Sequence, residues 1–149
     1  MPVLKKQITE AMKAAMRAKD KVQLGTIRLI LAEIKRIEVD ERIELDDERV
    51  IATLDKMSKQ RKDSISQFDK ADRTDLADIE RQELEVIKTY LPHPLNADEV
   101  NMALEEAIAT TGASSMQDMG KLMAELKPKV QGRTDMGMLS KLVKERLTR

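Results

Sequence analysis

The sequence contains no cysteine, no tryptophan, one histidine, one phenylalanine and one tyrosine. Without cysteine, disulfides, thiolate zinc sites and a cysteine nucleophile are excluded. A single histidine removes multi-histidine metal sites and any Cys-His pair. The five glycines are scattered and form neither a GxxxxGK phosphate loop nor a GxGxxG dinucleotide fingerprint. No apolar run approaches the roughly 20 residues that span a bilayer, and MPVLKKQITEAMKAAM has no continuous apolar segment of the secretory-signal kind. Neither charge sign is in excess, with 27 basic and 27 acidic residues. What is abundant is charge itself and helix-forming side chains. Charged residues make up 36% of the chain, against about a quarter in an average globular protein. Ala, Glu, Lys, Leu and Arg supply 71 of 149 residues, close to the half that marks long helices. The expectation is a soluble, all-helical, cytoplasmic protein with no cofactor, no metal and no membrane partner.

Apolar residues recur at helical spacing along nearly the whole chain. A first stripe is Leu4, Ile8, Ala11, Met12 and Ala15, and a charged turn follows around Lys19–Lys21. A second helix carries Leu24, Ile27, Ile30, Leu31, Ile34 and Ile37 inward. Asp46 or Asp47 caps a third, with Leu45 and Val50 placed as a hydrophobic staple. That helix turns Ile51, Leu54, Met57, Ile65 and Phe68 inward and ends near Asp69–Asp72. Thr74 is positioned to cap a fourth, with Leu76, Ile79, Glu83, Ile87 and Tyr90 on one side. Four such helices pack as an antiparallel bundle or as paired hairpins. The Leu91-Pro92-His93-Pro94-Leu95 segment breaks the helical pattern, because proline lacks an N–H and restricts the residue before it. Beyond it, Asn96 with Glu99 reads as a capping box before a stripe of Val100, Ala103, Leu104, Ala107 and Ile108, with Gly112 as the stop. Ser114 with Gln117 reads as another box. Met116, Met119, Leu122, Met123 and Leu126 follow until Pro128, and a KPKVQGR loop leads to a last helix with Met138, Leu139, Leu142, Val143 and Leu147 inward. The predicted organisation is a four-helix domain at 1–90, a proline linker at 91–95 and a three-helix tail at 96–149.

Zero net charge conceals segregation. Residues 1–36 carry 9 basic and 3 acidic side chains, 37–90 carry 10 and 16, 91–118 carry none and 5, and 119–149 carry 8 and 3. In the last block Lys127 and Lys129 flank Pro128 in the expected loop, and Arg133 precedes a helix that Thr134 or Asp135 caps. A helix N-terminus beside a guanidinium is a ready anion site. Lys141, Lys144 and Glu145 lie opposite the apolar stripe of that helix, and Lys121 is on the preceding one. These six, Lys121, Lys127, Lys129, Arg133, Lys141 and Lys144, are the candidate phosphate contacts. The plainer reading is that they keep the surface soluble, with Arg133 pairing to Asp135. Phe68 and Tyr90 fall on inward stripes, so RNA contact would run through phosphate, sugar and shape and not base stacking. His93 reads as a solvent-facing linker residue. Arg61, on the apolar stripe of the third helix, reads as the partner of a carboxylate on a neighbouring helix.

Two stretches carry a family resemblance. They are KQRKDSISQFDKADRTDLADIERQELEVIKTYLPHPL and DMGKLMAELKPKVQGRTDMGMLSKLVKERL, with RLILAEIKRIEVD ahead of them. The chain resembles the YqeY-like family, which is similar to the tail of the B subunit of the glutamine-dependent aminoacyl-tRNA amidotransferase (GatB). The usual GRAD-like element reads GRTD here, Thr134 replacing the small residue. The resemblance implies an all-helical fold of two domains and a tail related to a tRNA-body-binding module. It links the chain to carbon–nitrogen ligase activity with glutamine as amido donor, although the chain is too short to hold the transamidation domain of that enzyme. Three functions follow as expectations. The first is a tRNA-binding or amidotransferase-related accessory protein without catalysis of its own. The second is an adaptor for an amidotransferase or another translation protein, and the third is an amide-forming enzyme in its own right.

Overall fold

In the computed structural model, which describes residues 3–148, all regular elements are helical. They are α1 (Val3–Ala18), α2 (Lys21–Glu41), α3 (Asp47–Lys70), α4 (Thr74–Tyr90), α5 (Ala97–Thr111), α6 (Met119–Val130) and α7 (Met136–Leu147), with a 3₁₀ turn at Met116–Asp118. They group into two compact units that divide between Leu91 and Pro92.

In the first unit α1 pairs with α2 and α3 with α4, and α2 also packs on α4. The turns are set by polar side chains that the helix ends require. Asp20 accepts from the Gln23 N–H at 3.1 Å and caps α2. Asp46 accepts from the Arg49 N–H at 2.8 Å and caps α3. Its neighbour Asp47 reaches across to accept from the Leu4 N–H at 3.0 Å, so adjacent acids terminate two different helices. Glu38 receives the Lys5 ammonium at 2.8 Å and the Leu45 N–H at 3.0 Å, which ties α1 to the α2–α3 corner. Leu45 and Val50 flank the cap fully buried, as a staple does. The core is Ile8, Ala15, Ile27, Ile30, Ile34, Leu45, Val50, Leu54, Met57 and Ile87. Each large apolar side chain buried there contributes about 1.5–3 kcal/mol, against about 0–1 kcal/mol for an exposed ion pair. The core therefore holds the unit, and the many surface ion pairs do not.

Arg61 sits where α3 meets α4, donating to Glu83 at 3.1 Å with Glu80 at 3.9 Å. Its side chain is 15% exposed, and the paired reading holds. The register of α4 differs from expectation. Its buried residues are Ala77, Leu84 and Ile87, whereas Ile79 is 53% exposed. The inward arc is turned toward the small Ala77, which allows close approach to α3. Thr74 begins the helix instead of capping it, and the cap position, Arg73, makes no side-chain capping bond.

In the second unit the Asn96–Glu99 capping box is complete, with Glu99 N–H to Asn96 at 2.8 Å and Asn96 N–H to Glu99 at 3.2 Å. Gly112 ends α5 at φ +68°, a left-handed conformation that favours glycine. The next cap is shifted by one residue from the expected Ser114/Gln117 pair. The Asp118 carboxylate accepts from the N–H groups of Ser114 and Ser115 at 2.8 and 3.2 Å. Helix α6 does not stop at Pro128 but runs through it to Val130. Proline in a last turn loses one intrahelical bond, and the fully buried Val130 fastens that turn to the core. The core here is Val100, Leu104, Ala107, Ala113, Leu122, Leu126, Val130, Leu139, Val143 and Leu147. Met116, Met138 and Leu142, read as inward, are exposed, Met138 at 66%.

Candidate nucleic-acid interface

The six candidate cations divide by local geometry. Lys127 and Lys129 stand on the last turn of α6, not in a loop, and two residues on a helix point about 160° apart. They flank the buried stripe of Leu122, Leu126 and Val130 from opposite sides. Lys129 bonds Glu125 at 3.2 Å, one turn back, and is neutralised there. Lys121 and Lys127 stand at the two edges of the outward face of α6, about 120° apart around the helix and about 9 Å apart along it, with Gly120, Ala124 and Pro128 on the arc between them. All five are exposed and none is acidic. The Cβ of an alanine at Gly120 would meet nothing within 4 Å. Asp118 borders this face at the helix start. The Ser114 and Ser115 N–H groups hold its carboxyl below the usual carboxylate range, and the Lys121 charge adds to the effect.

Arg133 has a structural task. Its guanidinium donates to the His93 carbonyl at 3.0 Å, while its own carbonyl accepts from the Leu95 N–H at 2.7 Å. The proline segment is thereby laced onto the α6–α7 turn from both sides. Asp135 is the cap of α7, accepting from Gly137 and Met138 N–H at 2.7 and 3.2 Å. The anion site expected at this helix N-terminus is therefore already filled by the chain's own carboxylate. Lys141 and Lys144, three apart, share an exposed face of α7. Arg146, on the same helix, is bound to Glu105 of α5 at 2.9 Å.

Four of the six, Lys121, Lys127, Lys141 and Lys144, have no carboxylate oxygen within 4 Å among the described residues, while Lys129 and Arg133 are engaged internally. Counting charges along the sequence missed Gly120 and Ala124. Small residues at the outward positions of a basic helix were the available signal. Among the described residues no group of three or more acidic or histidine side chains is placed to hold a metal ion, and no helix is long and apolar enough to cross a membrane.

Comparison with known proteins places these features in a family. The chain is 44% identical over 81 residues to "Altered inheritance of mitochondria protein 41, mitochondrial" of Vanderwaltozyma polyspora, covering 54% of this chain and 44% of that protein. It is 43% identical over 89 residues to the protein of the same name in Clavispora lusitaniae, covering 59% and 52%. An uncharacterized protein of Schizosaccharomyces pombe is 30% identical over 92 residues, covering 62% and 75%. The chain thus spans about half the length of the first two relatives. Their names place these two in mitochondria, which overturns the cytoplasmic expectation drawn from composition. Composition reports solubility and charge, and it does not report a compartment. The match to the family described as Yqey-like protein extends over residues 5–147, nearly the whole sequence, and the chain belongs to that family.

Proposed function

We propose that the protein is a tRNA-binding accessory protein, related to the tRNA amidotransferase by its tail and without catalysis of its own. The observation that carries this reading is the outward face of α6. Lys121 and Lys127 stand there outside any salt bridge among the described residues, beside Gly120, Ala124 and Pro128, with Asp118 at the edge of the face as the acid that feels the Lys121 charge. Small side chains leave the cations proud of the surface, so a phosphate backbone approaches without steric hindrance. Lys141 and Lys144 on α7 extend the supply of free positive charge in the same unit. The amidotransferase resemblance of the tail makes tRNA the RNA of choice.

The test is filter binding of bulk tRNA at about 50 and 200 mM salt, where each phosphate contact steepens the salt dependence. Replacing Lys121, Lys127, Lys141 and Lys144 together by Gln is expected to weaken binding and to lower the slope by about 3 to 4. An unchanged slope defeats the assignment. Arg133 is left intact in this variant because its removal would also unlace the proline segment. The adaptor reading has one observation in its favour, the exposed Met138 and Leu142 one turn apart on α7. Association with a purified amidotransferase that survives nuclease and is lost in Met138→Ser/Leu142→Ser would favour it.

A further inference from the structure

We propose that the outward face of α2, in the first unit, is a second contact surface for the sugar–phosphate backbone of RNA, an inference that rests on the RNA-binding reading above. Lys21, Arg28 and Lys35 recur every seven residues on this helix, so they form a nearly straight row with about 10.5 Å between neighbours. The outward positions between them are Gly25 and Ala32, and all five residues are exposed.

The acids of α2 make their salt bridges and cap bonds outside this row. Asp20 caps the helix. Glu33 and Asp40 both bind Arg36, at 2.6 and 3.1 Å. Glu38 holds Lys5 at 2.8 Å, and Glu41 holds Arg49 at 2.6 Å. The short contacts of these acids are thus to groups outside the row, although the Lys35 charge also acts on Glu38 at longer range. Lys21, Arg28 and Lys35 have no carboxylate within 4 Å among the described residues.

Gly25 is the second observation. It lies within a 21-residue helix, where glycine is less favourable than alanine. The chain supplies no reason for it, since an added Cβ would meet nothing within 4 Å and no positive φ is required there. A glycine whose missing side chain leaves open space on the outside of a cationic row suits close approach by something external. The same combination of unpaired cations with Gly and Ala recurs on α6. A polyanion fits it by charge. With no aromatic ring on the face, the contact is to phosphate and not to stacked bases. An anionic membrane is the rival. However, the centre of the row holds cations and glycine, and Val22 and Leu29 lie about 80–100° to one side of it, whereas interfacial helices point an apolar face at the lipid.

The experiment uses the full chain with bulk tRNA over the same salt range. Lys21→Gln/Arg28→Gln/Lys35→Gln keeps helix propensity and is expected to lower the salt slope by about 2 to 3. Gly25→Leu is expected to weaken binding several-fold while the Tm stays level or rises, which a purely structural role for this face would not produce. If the α2 variants bind as the parent does while the α6/α7 variant is impaired, this inference falls and the RNA-binding reading stands. If the α2 variants are impaired and the α6/α7 variant is not, the inference stands and the tail assignment falls. If the parent shows no salt-dependent tRNA binding, both fall. Loss of binding to phosphatidylserine-containing vesicles, with tRNA binding intact, also overturns it.

Discussion

Arg61 shows how one residue departs from the pattern around it without breaking the fold. It interrupts an apolar stripe, yet its guanidinium meets Glu83 at 3.1 Å with Glu80 nearby, in a site where the arginine side chain is only 15% exposed. Removing one member of such a pair strands the other in a poorly solvated place. Arg61→Ala is expected to destabilise the first unit by about 1–3 kcal/mol, read from the urea midpoint at constant m-value. The double variant Arg61→Met/Glu83→Leu is expected to recover most of that loss, because an apolar pair of similar volume needs no partner. The contrast is Arg73 with Asp75, a pair in which both side chains are more than half exposed. Asp75→Asn should leave the midpoint where it is, since solvent screens that interaction.

Helix ends give the corresponding test for an element. Asp135 caps α7, and the Cβ of an alanine at Gly137 would stand 3.1 Å from the capping oxygen. Alone, Asp135→Ala is expected to lose about 1 kcal/mol. Gly137→Ala should ordinarily gain about that much from helix propensity, but here the methyl group presses on the cap and the gain is absent. In the Asp135→Ala background the same substitution becomes stabilising, and a double-mutant cycle in urea reads the difference in sign. Such caps were legible in the sequence at Asp46, Asn96 and Gly112, because a short polar side chain or a glycine beside an apolar stripe has few other uses. The paired role of Arg61 was legible too. Other features were not. Counting large apolar residues put Ile79 inward and passed over Ala77, although close helix approach selects the small residue. Met138 and Leu142 matched the helical period within tolerance yet lie beside the buried arc of Leu139, Val143 and Leu147. Pro128 read as a stop because the anchoring of Val130 is a tertiary effect. Among the candidate cations, the sequence pattern named Lys121, Lys127, Lys141 and Lys144 together with Lys129 and Arg133, and it placed Lys127 in a loop where the chain is helical. It did not reveal that Lys129 has a local partner or that Arg133 binds a carbonyl 40 residues away.

For the whole molecule, acid should be the weak direction and the two cores should respond separately to damage. Glu33, Glu38, Glu41 and Asp75 are held below the usual carboxylate range by Arg36, Lys5, Arg49 and Arg73 respectively, with the Leu45 N–H adding to the effect at Glu38. A carboxyl depressed in the native state binds fewer protons there than in the unfolded chain. Its contribution is therefore complete above about pH 4.5 and is lost as the pH falls through the lower native value. Glu38 carries most of this, because its side chain is 10% exposed whereas those of Glu41 and Asp75 are open to solvent. Urea midpoints from pH 7 to 3 should fall below pH 4.5, and less steeply in Glu38→Gln. The two cores share no residue. Ile34→Ala and Leu126→Ala each open a cavity costing about 2–5 kcal/mol, in different units. Hydrogen exchange should then lose protection in α1–α4 for the first variant and in α5–α7 for the second. Equal loss across both units in either variant would mean that the chain opens as one cooperative body.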